Sequence, residues 1–151
     1  MGRSTADIKT EVPDVLLADL ESIEGGLDVD ETFFRRFLIL RRLYGQRGVA
    51  EMHGQGVIDK LMERAQALPR RALGGGALPP WLSKSTEPVK VRVPDCVKVD
   101  FARTARTLGL SESEFFFRLI RNFVYGDEQV RSMEQAHAAM VAGSSPERVQ
   151  A

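Results

Sequence analysis

Val89-Lys90-Val91-Arg92-Val93-Pro94 alternates apolar and basic residues and then stops at a proline. Alternation with period two is the mark of a strand that buries one face and wets the other. Here it buries three valines and turns Lys90 and Arg92 outward. Proline removes a ladder donor, and its fixed φ suits the first turn of a helix. The next residues agree: Val97, Phe101, Ala105 and Leu108 recur at helical spacing, which predicts an amphipathic helix from about 95 to 108, stopped by Gly109. Ser111 is a good N-cap, and Glu112 and Glu114 favour the dipole of a following helix. That helix is predicted from about 112 to 125, with Phe115, Phe116, Leu119, Ile120 and Phe123 on a broad apolar face and Gly126 at its end.

The same pattern occurs earlier in the chain. Shifted by 81 positions, Val12-Pro13-Asp14 falls on Val93-Pro94-Asp95 and Tyr44-Gly45 on Tyr125-Gly126, without a gap. Asp19/Asp100, Leu27/Leu108, Glu31/Glu112, Phe34/Phe115, Leu38/Leu119 and Ile39/Ile120 are also identical. Eleven identities in 34 positions exceed the roughly two that average residue usage would give by chance, so the chain is read as an internal repeat. In the first copy Ile8-Lys9-Thr10-Glu11-Val12 is the strand, and Val15, Leu16, Leu20 and Ile23 mark a helix that Gly25 and Gly26 are expected to break. Asp28 or Asp30 caps a second helix from about 30 to 44, carrying Phe33, Phe34, Phe37, Leu38 and Leu40. More helix is predicted after each copy, over 47–68, where Gly54 and Gly56 weaken the middle, and over 127–142. Val49/Val130 and Met52/Met133 keep the register, so this third helix belongs to the repeated unit.

These readings divide the chain into a first repeat with its extra helix (7–68), a linker (69–86), a second repeat with its C-terminal helix (87–142) and a disordered tail (143–151). The linker carries Pro69, Gly74-Gly75-Gly76 and Pro79-Pro80, which argue against regular structure. A unit of about 45 residues buries only a thin core, so two copies are expected to share one. At 43% hydrophobic and 28% charged residues, composition is that of a soluble globular protein. No apolar run approaches the roughly 20 residues of a membrane span, and Met1 to Asp7 lacks the apolar centre of a signal peptide. A single cysteine, Cys96, excludes an internal disulfide and fits a reducing cytoplasm. Formal charge sums to zero but is uneven: −3 over residues 1–68, +5 over 69–126 and −2 over 127–151. A basic middle between acidic ends suggests that part of the surface meets a polyanion.

A basic alternating strand, Pro94, a helix, the turn Gly109-Leu110-Ser111-Glu112-Ser113-Glu114 and an apolar helix resemble the ribbon–helix–helix (MetJ/Arc/CopG-like) DNA-binding family. The resemblance covers 88–126 directly and 7–45 through the repeat. It implies a mainly α fold with a short two-stranded antiparallel β-ribbon. With both copies in one chain, it implies a tandem pseudo-dimer with extra helices. This is similar to the single-chain tandem members of the family that bind a T-DNA transfer enhancer. The ribbon would enter the DNA major groove.

On that reading Lys9, Glu11, Lys90 and Arg92 face the bases. Arg92 forks onto a guanine edge, and Lys9 and Lys90 reach guanine or phosphate. Glu11 either accepts from a cytosine amino group or repels phosphate, and Thr10 replaces an inward valine. An unequal covalent pair should prefer a non-palindromic site. Phosphate is expected at the N-termini of the second helices, at Asp30, Glu31 and Thr32 and at Ser111, Glu112 and Ser113, with Arg70, Arg71 and Lys84 adding backbone contacts.

Other readings compete residue by residue. Lys90 and Arg92 also suit the solvated face of an edge strand. Arg35, Arg36, Arg41 and Arg42 are expected to be solvated or paired with acids of the first helix. The phenylalanines and Trp81 read as core, and Cys96 as a small buried thiol. Gly74–Gly76 lacks the Lys-Ser/Thr of a phosphate-binding loop. His53 and His137 stand apart from other ligand residues, so no metal, cofactor or catalytic group is expected.

Three functions follow. The first is a non-enzymatic DNA-binding accessory of plasmid or T-DNA-type transfer or partition, with relaxosome, transfer or partition proteins as partners and no membrane. The second is a transcriptional repressor of the same fold. The third is an antitoxin-like protein-interaction module.

Overall fold

In a computed structural model, residues 4–68 and 79–143 are described. Strand β1 (Thr5–Val12) leads through Pro13 into helix α1 (Asp14–Leu27). Helix α2 (Glu31–His53) follows, then α3 (Gln55–Ala67). A single 3-10 turn, Pro80–Leu82, precedes β2 (Glu87–Pro94), α4 (Asp95–Thr107), α5 (Glu112–Tyr125) and α6 (Asp127–Gly143). The protein is therefore mainly helical with one small two-stranded antiparallel sheet.

The two strands pair over their full length, with Lys9 opposite Lys90, Asp7 opposite Arg92 and Glu11 opposite Pro88. Alternation decides which face is covered. Ile8, Thr10, Val12, Val89, Val91 and Val93 are buried, while Lys9, Glu11, Lys90 and Arg92 are exposed. Beneath the sheet one continuous core joins both halves of the chain, from Leu16, Leu20, Phe34 and Phe37 to Phe101, Phe115, Phe116 and Ile120. Fully burying one such side chain stabilises by about 1.5–3 kcal/mol. Phe101 stacks on Phe115 at 4.6 Å between ring centroids. Helices α2 and α5 meet where Phe34 abuts Phe123 edge-on at 5.0 Å and Arg42 lies 5.5 Å over the Phe115 ring. Two further contacts bind the halves: the Tyr44 hydroxyl donates to Asp100 at 2.6 Å, and the Tyr125 hydroxyl donates to Asp19 at 3.1 Å. Tyr44 and Tyr125 are 81 residues apart, as are Asp19 and Asp100.

Several boundaries differ from the sequence reading. Gly25 and Gly26 do not break α1. The helix continues to Leu27, and Asp28 ends it at φ 54°, its N–H donating to the Glu24 and Gly25 carbonyls. Asp28 corresponds to Gly109, which holds φ 73°, and aspartate tolerates the left-handed region better than most side chains. The helix expected over 47–68 is divided instead. Its first part joins α2 across a kink at Gly45 (φ 77°), and Gly54 (φ 93°) starts α3. Gly126, the counterpart of Gly45, separates α5 from α6 at φ 85°. The stretch between the repeats is not wholly irregular, because Pro80–Leu82 makes a helical turn and buries Trp81. Trp81 lies 5.7 Å from the Tyr125 ring with the Arg121 guanidinium 5.4 Å over its face. Cys96 is exposed rather than buried, because it sits on the outer side of the first turn of α4 while Val97 turns to the core. The tail after Gly143 lies outside the described residues.

Candidate nucleic-acid interface

The outward row of the ribbon is built by alternation alone, and it is unequal from end to end. At its centre two ammonium groups, Lys9 and Lys90, occupy directly opposed positions. Neither has an ion-pair or hydrogen-bond partner among the described residues. At one end Arg92 reaches across to β1, with Nε 3.4 Å from an Asp7 carboxylate oxygen and Nη1 donating to the Thr5 hydroxyl at 3.3 Å. Its side chain remains 66% exposed, so the guanidinium is steadied by the neighbouring strand and still open to solvent. Arg36 of α2 grips the same end, donating from Nε and Nη2 to the Arg92 carbonyl at 3.1 and 2.9 Å. Lys98 of α4 donates to the Asp7 carbonyl at 2.9 Å and pairs with Glu112 at 2.6 Å. The other end carries Glu11 opposite Pro88. Beside it a cleft of about 1400 Å3 opens, walled by Lys9, Lys90, Ser113, Trp81, Arg121 and His137.

The helix starts are occupied by their own caps. The Ser111 hydroxyl accepts from the Glu114 N–H at 3.0 Å, and an Asp30 carboxylate oxygen accepts from the Phe33 N–H at 3.2 Å. Each cap satisfies one of the four N–H groups a helix start leaves open. The Ser113 hydroxyl lies 2.8 Å from that of Thr10. The buried, inward threonine thus finds a polar partner where the other strand has Val91, as a buried hydroxyl must. Thr32 is exposed in the first turn of α2, and Lys84 is exposed ahead of β2. Arg70 and Arg71 lie outside the described residues.

No family model, curated protein or solved structure matches the chain.

The ribbon side chains Lys9, Glu11, Lys90 and Arg92 are brought together on one surface, whereas Asp30, Ser111 and Ser113 spend their side chains on internal bonds. Sequence reasoning missed Arg36 as part of the ribbon. Its only signal was a position one residue past Arg35 on the helix that follows the acidic one. The expected pairing of an arginine of α2 with an acid of α1 is found at Arg35; the burial of that pair and of Arg121 was not expected. Arg35 donates to both Glu24 carboxylate oxygens at 3.0 and 3.1 Å, an ion pair with an acid of the first helix. Burial lifts the Glu24 carboxyl above its ordinary pKa, and the two Arg35 bonds oppose that lift. Arg121 is lowered chiefly by burial, with Glu134 at 3.2 Å holding its charge. The Tyr44 hydroxyl is raised by burial and by the hydrogen bond to Asp100. Among the described residues no group of three or more His, Cys, Asp or Glu is placed to hold a metal ion, and no helix is long and apolar enough to cross a membrane.

Proposed function

We propose that this chain is a sequence-specific double-stranded DNA-binding protein of tandem ribbon–helix–helix type, an intramolecular pseudo-dimer whose ribbon enters the major groove. The observation that carries the reading is the Lys9–Lys90 pair. Like charges directly opposed on one face of an antiparallel pair destabilise it. A surface that keeps two such ammonium groups without an ion-pair partner among the described residues is arranged for an anion that arrives from outside. A two-stranded ribbon fits the major groove, where each base pair presents a distinct set of donors and acceptors. The pseudo-dimer is supported by the reciprocal Tyr44–Asp100 and Tyr125–Asp19 bonds and by residues 81 apart facing each other at the ribbon centre. In an isologous contact, residue i of one unit meets j of the other and j meets i.

The ends of the ribbon then differ in role. The Arg92 end, braced by Arg36 and Asp7, reads bases; the Glu11 end offers a carboxylate. The favoured duplex is non-palindromic, and the protein sits on it in one direction. The role we assign is accessory, in plasmid or T-DNA-type transfer or in partition. A promoter repressor would use the same surface, and the position of the bound site separates the two.

The test is selection of duplexes from a random pool, followed by titration of the winner. Replacing Lys90 and Arg92 together with alanine should abolish preference for the selected site while leaving the melting temperature in place. Unchanged site affinity would end the assignment of the ribbon. Replacing a lysine that touches phosphate alone should weaken binding to all sequences and reduce the salt slope by about one.

A further inference from the structure

The two ends of the ribbon differ in what stands beside them. At one end Arg36 donates to the Arg92 carbonyl. Glu11 and Phe117 are the counterparts, 81 positions away, of Arg92 and Arg36. Phe117 has no side-chain donor to offer Glu11, and the cleft of about 1400 Å3 opens at that end. Both strands, α5, α6 and the turn at Pro80–Leu82 contribute to its lining. Pockets that take drug-sized molecules span roughly 300–1000 Å3, so this space admits a small organic molecule.

The lining is apolar in one part and cationic in another. Phe117 is half-buried, Leu82 is 51% exposed, and the buried Trp81 ring carries the Arg121 guanidinium over its face. The charged groups sort by partner. Arg121 pairs with Glu134 at 3.2 Å, Arg35 with Glu24 at 3.0 Å and Glu114 with Arg118 at 2.9 Å. That leaves Lys9, Lys90 and Glu11 of the lining without an ion pair among the described residues, two ammonium groups against one carboxylate. The His137 imidazole is half-buried in the α6 part, and its Nδ1 is without a hydrogen-bond partner among the described residues. Each ammonium carries three donors and no acceptor. Two of them beside an apolar lining complement a molecule with an apolar body and an acidic group.

We propose that this cleft binds a small organic anion with an apolar ring system. The rings lie on Phe117 and Leu82, and the acidic group accepts hydrogen bonds from Lys9 and Lys90. Glu11 disfavours a second negative charge, so a monoanion is preferred to a dianion. Lys9 and Lys90 belong both to this cleft and to the outward row of the ribbon. An occupied cleft therefore withdraws them from a duplex. That exclusion rests on the DNA-binding reading; the ligand site itself does not.

The probes are anilinonaphthalenesulfonate, a monoanion, and phenylnaphthylamine, the same ring body without the acidic group. Fluorescence titration of the full chain without DNA should show one saturable site for the anion, bound at least about tenfold more tightly than the neutral probe. Lys9→Gln with Lys90→Gln alters exposed side chains and should bring the anion down to the affinity of the neutral probe, which stays as it was. Phe117→Arg copies the counterpart residue into the cleft and should weaken both probes. Its folding is checked by circular dichroism, and Leu82→Glu, at an exposed position, replaces it if it fails and should weaken the anion. Equal affinity for the two probes, or an anion that binds as well after both lysines are lost, would overturn the site. With the duplex selected from the random pool, saturating anion should weaken duplex binding at least about tenfold. Duplex affinity unmoved by the anion would overturn the exclusion, whereas a protein that binds the anion and no duplex would overturn the DNA-binding reading alone.

Discussion

Arg35 and Glu24 occupy positions where the second half of the chain has Phe116 and Ala105. The same place in the architecture is thus filled once by a bidentate ion pair and once by apolar packing. Removing one partner and removing both should differ sharply. Arg35→Ala leaves a carboxylate buried alone, at a cost of about 3–5 kcal/mol, and Glu24 then takes up a proton. The double change Glu24→Ala with Arg35→Phe transplants the solution of the other half and should be neutral or stabilising. Urea unfolding of both proteins measures this; a double variant as unstable as Arg35→Ala would refute the equivalence. Glu11 gives a second test at this scale, because it corresponds to Arg92. Glu11→Arg places an arginine at each end of the ribbon, at positions related by the pseudo-twofold through Lys9 and Lys90, and the duplex selected from a random pool should become palindromic. Persistence of the original asymmetric site would assign the asymmetry elsewhere. These residues also mark where sequence reading is strong and where it stops. Alternation at Val89–Val93 set the outward face of β2, since a strand has only two faces. It carried no sign that Arg36, 56 residues upstream, would hold the Arg92 carbonyl, because a hydrogen bond to backbone leaves no trace in side-chain pattern. The Arg35–Glu24 pair was legible as a class, an arginine of the second helix with an acid of the first. Its burial was not, since both residues read as surface.

The helices were legible to the extent that their periodicity and caps agreed. Ser111 combined an N-cap with acids in the following turn, and α5 begins at Glu112 as its spacing predicts. Gly25-Gly26 misled, because glycine weakens a helix by only about 1 kcal/mol per residue and the preceding turn was already anchored by Leu16, Leu20 and Ile23 in the core. Termination required a left-handed residue, and Asp28 supplied it. Gly45 and Gly126 bend their helices at positive φ, with open space around each absent Cβ. Alanine at Gly126 therefore meets no neighbour and suffers only conformational strain, about 1–2 kcal/mol. The expected result is a lower melting temperature for Gly126→Ala with DNA affinity retained at temperatures where it is folded. Ser111→Ala should cost about 1 kcal/mol through the lost cap, readable in the same denaturation series.

Across the whole molecule, the ribbon and the two tyrosine–aspartate bonds tie the first half to the second within one chain. Unfolding is then unimolecular, and the melting temperature of dilute protein should not move over a hundredfold change in concentration. A melting temperature that falls on dilution would mean that strands pair between molecules, as in a swapped dimer. The same pairing has a consequence during synthesis. β1 is made first, and the strand it needs follows 81 residues later. At about 5–20 residues per second, Ile8 and Val12 leave the ribosome roughly 4–16 s before Val89 and Val91. For that interval the nascent chain carries a lone strand with an unsatisfied edge, and neighbouring nascent chains on one message carry the same strand. Spacing between ribosomes, or a chaperone that holds the first half until the second arrives, then becomes a determinant of how much functional protein the cell recovers.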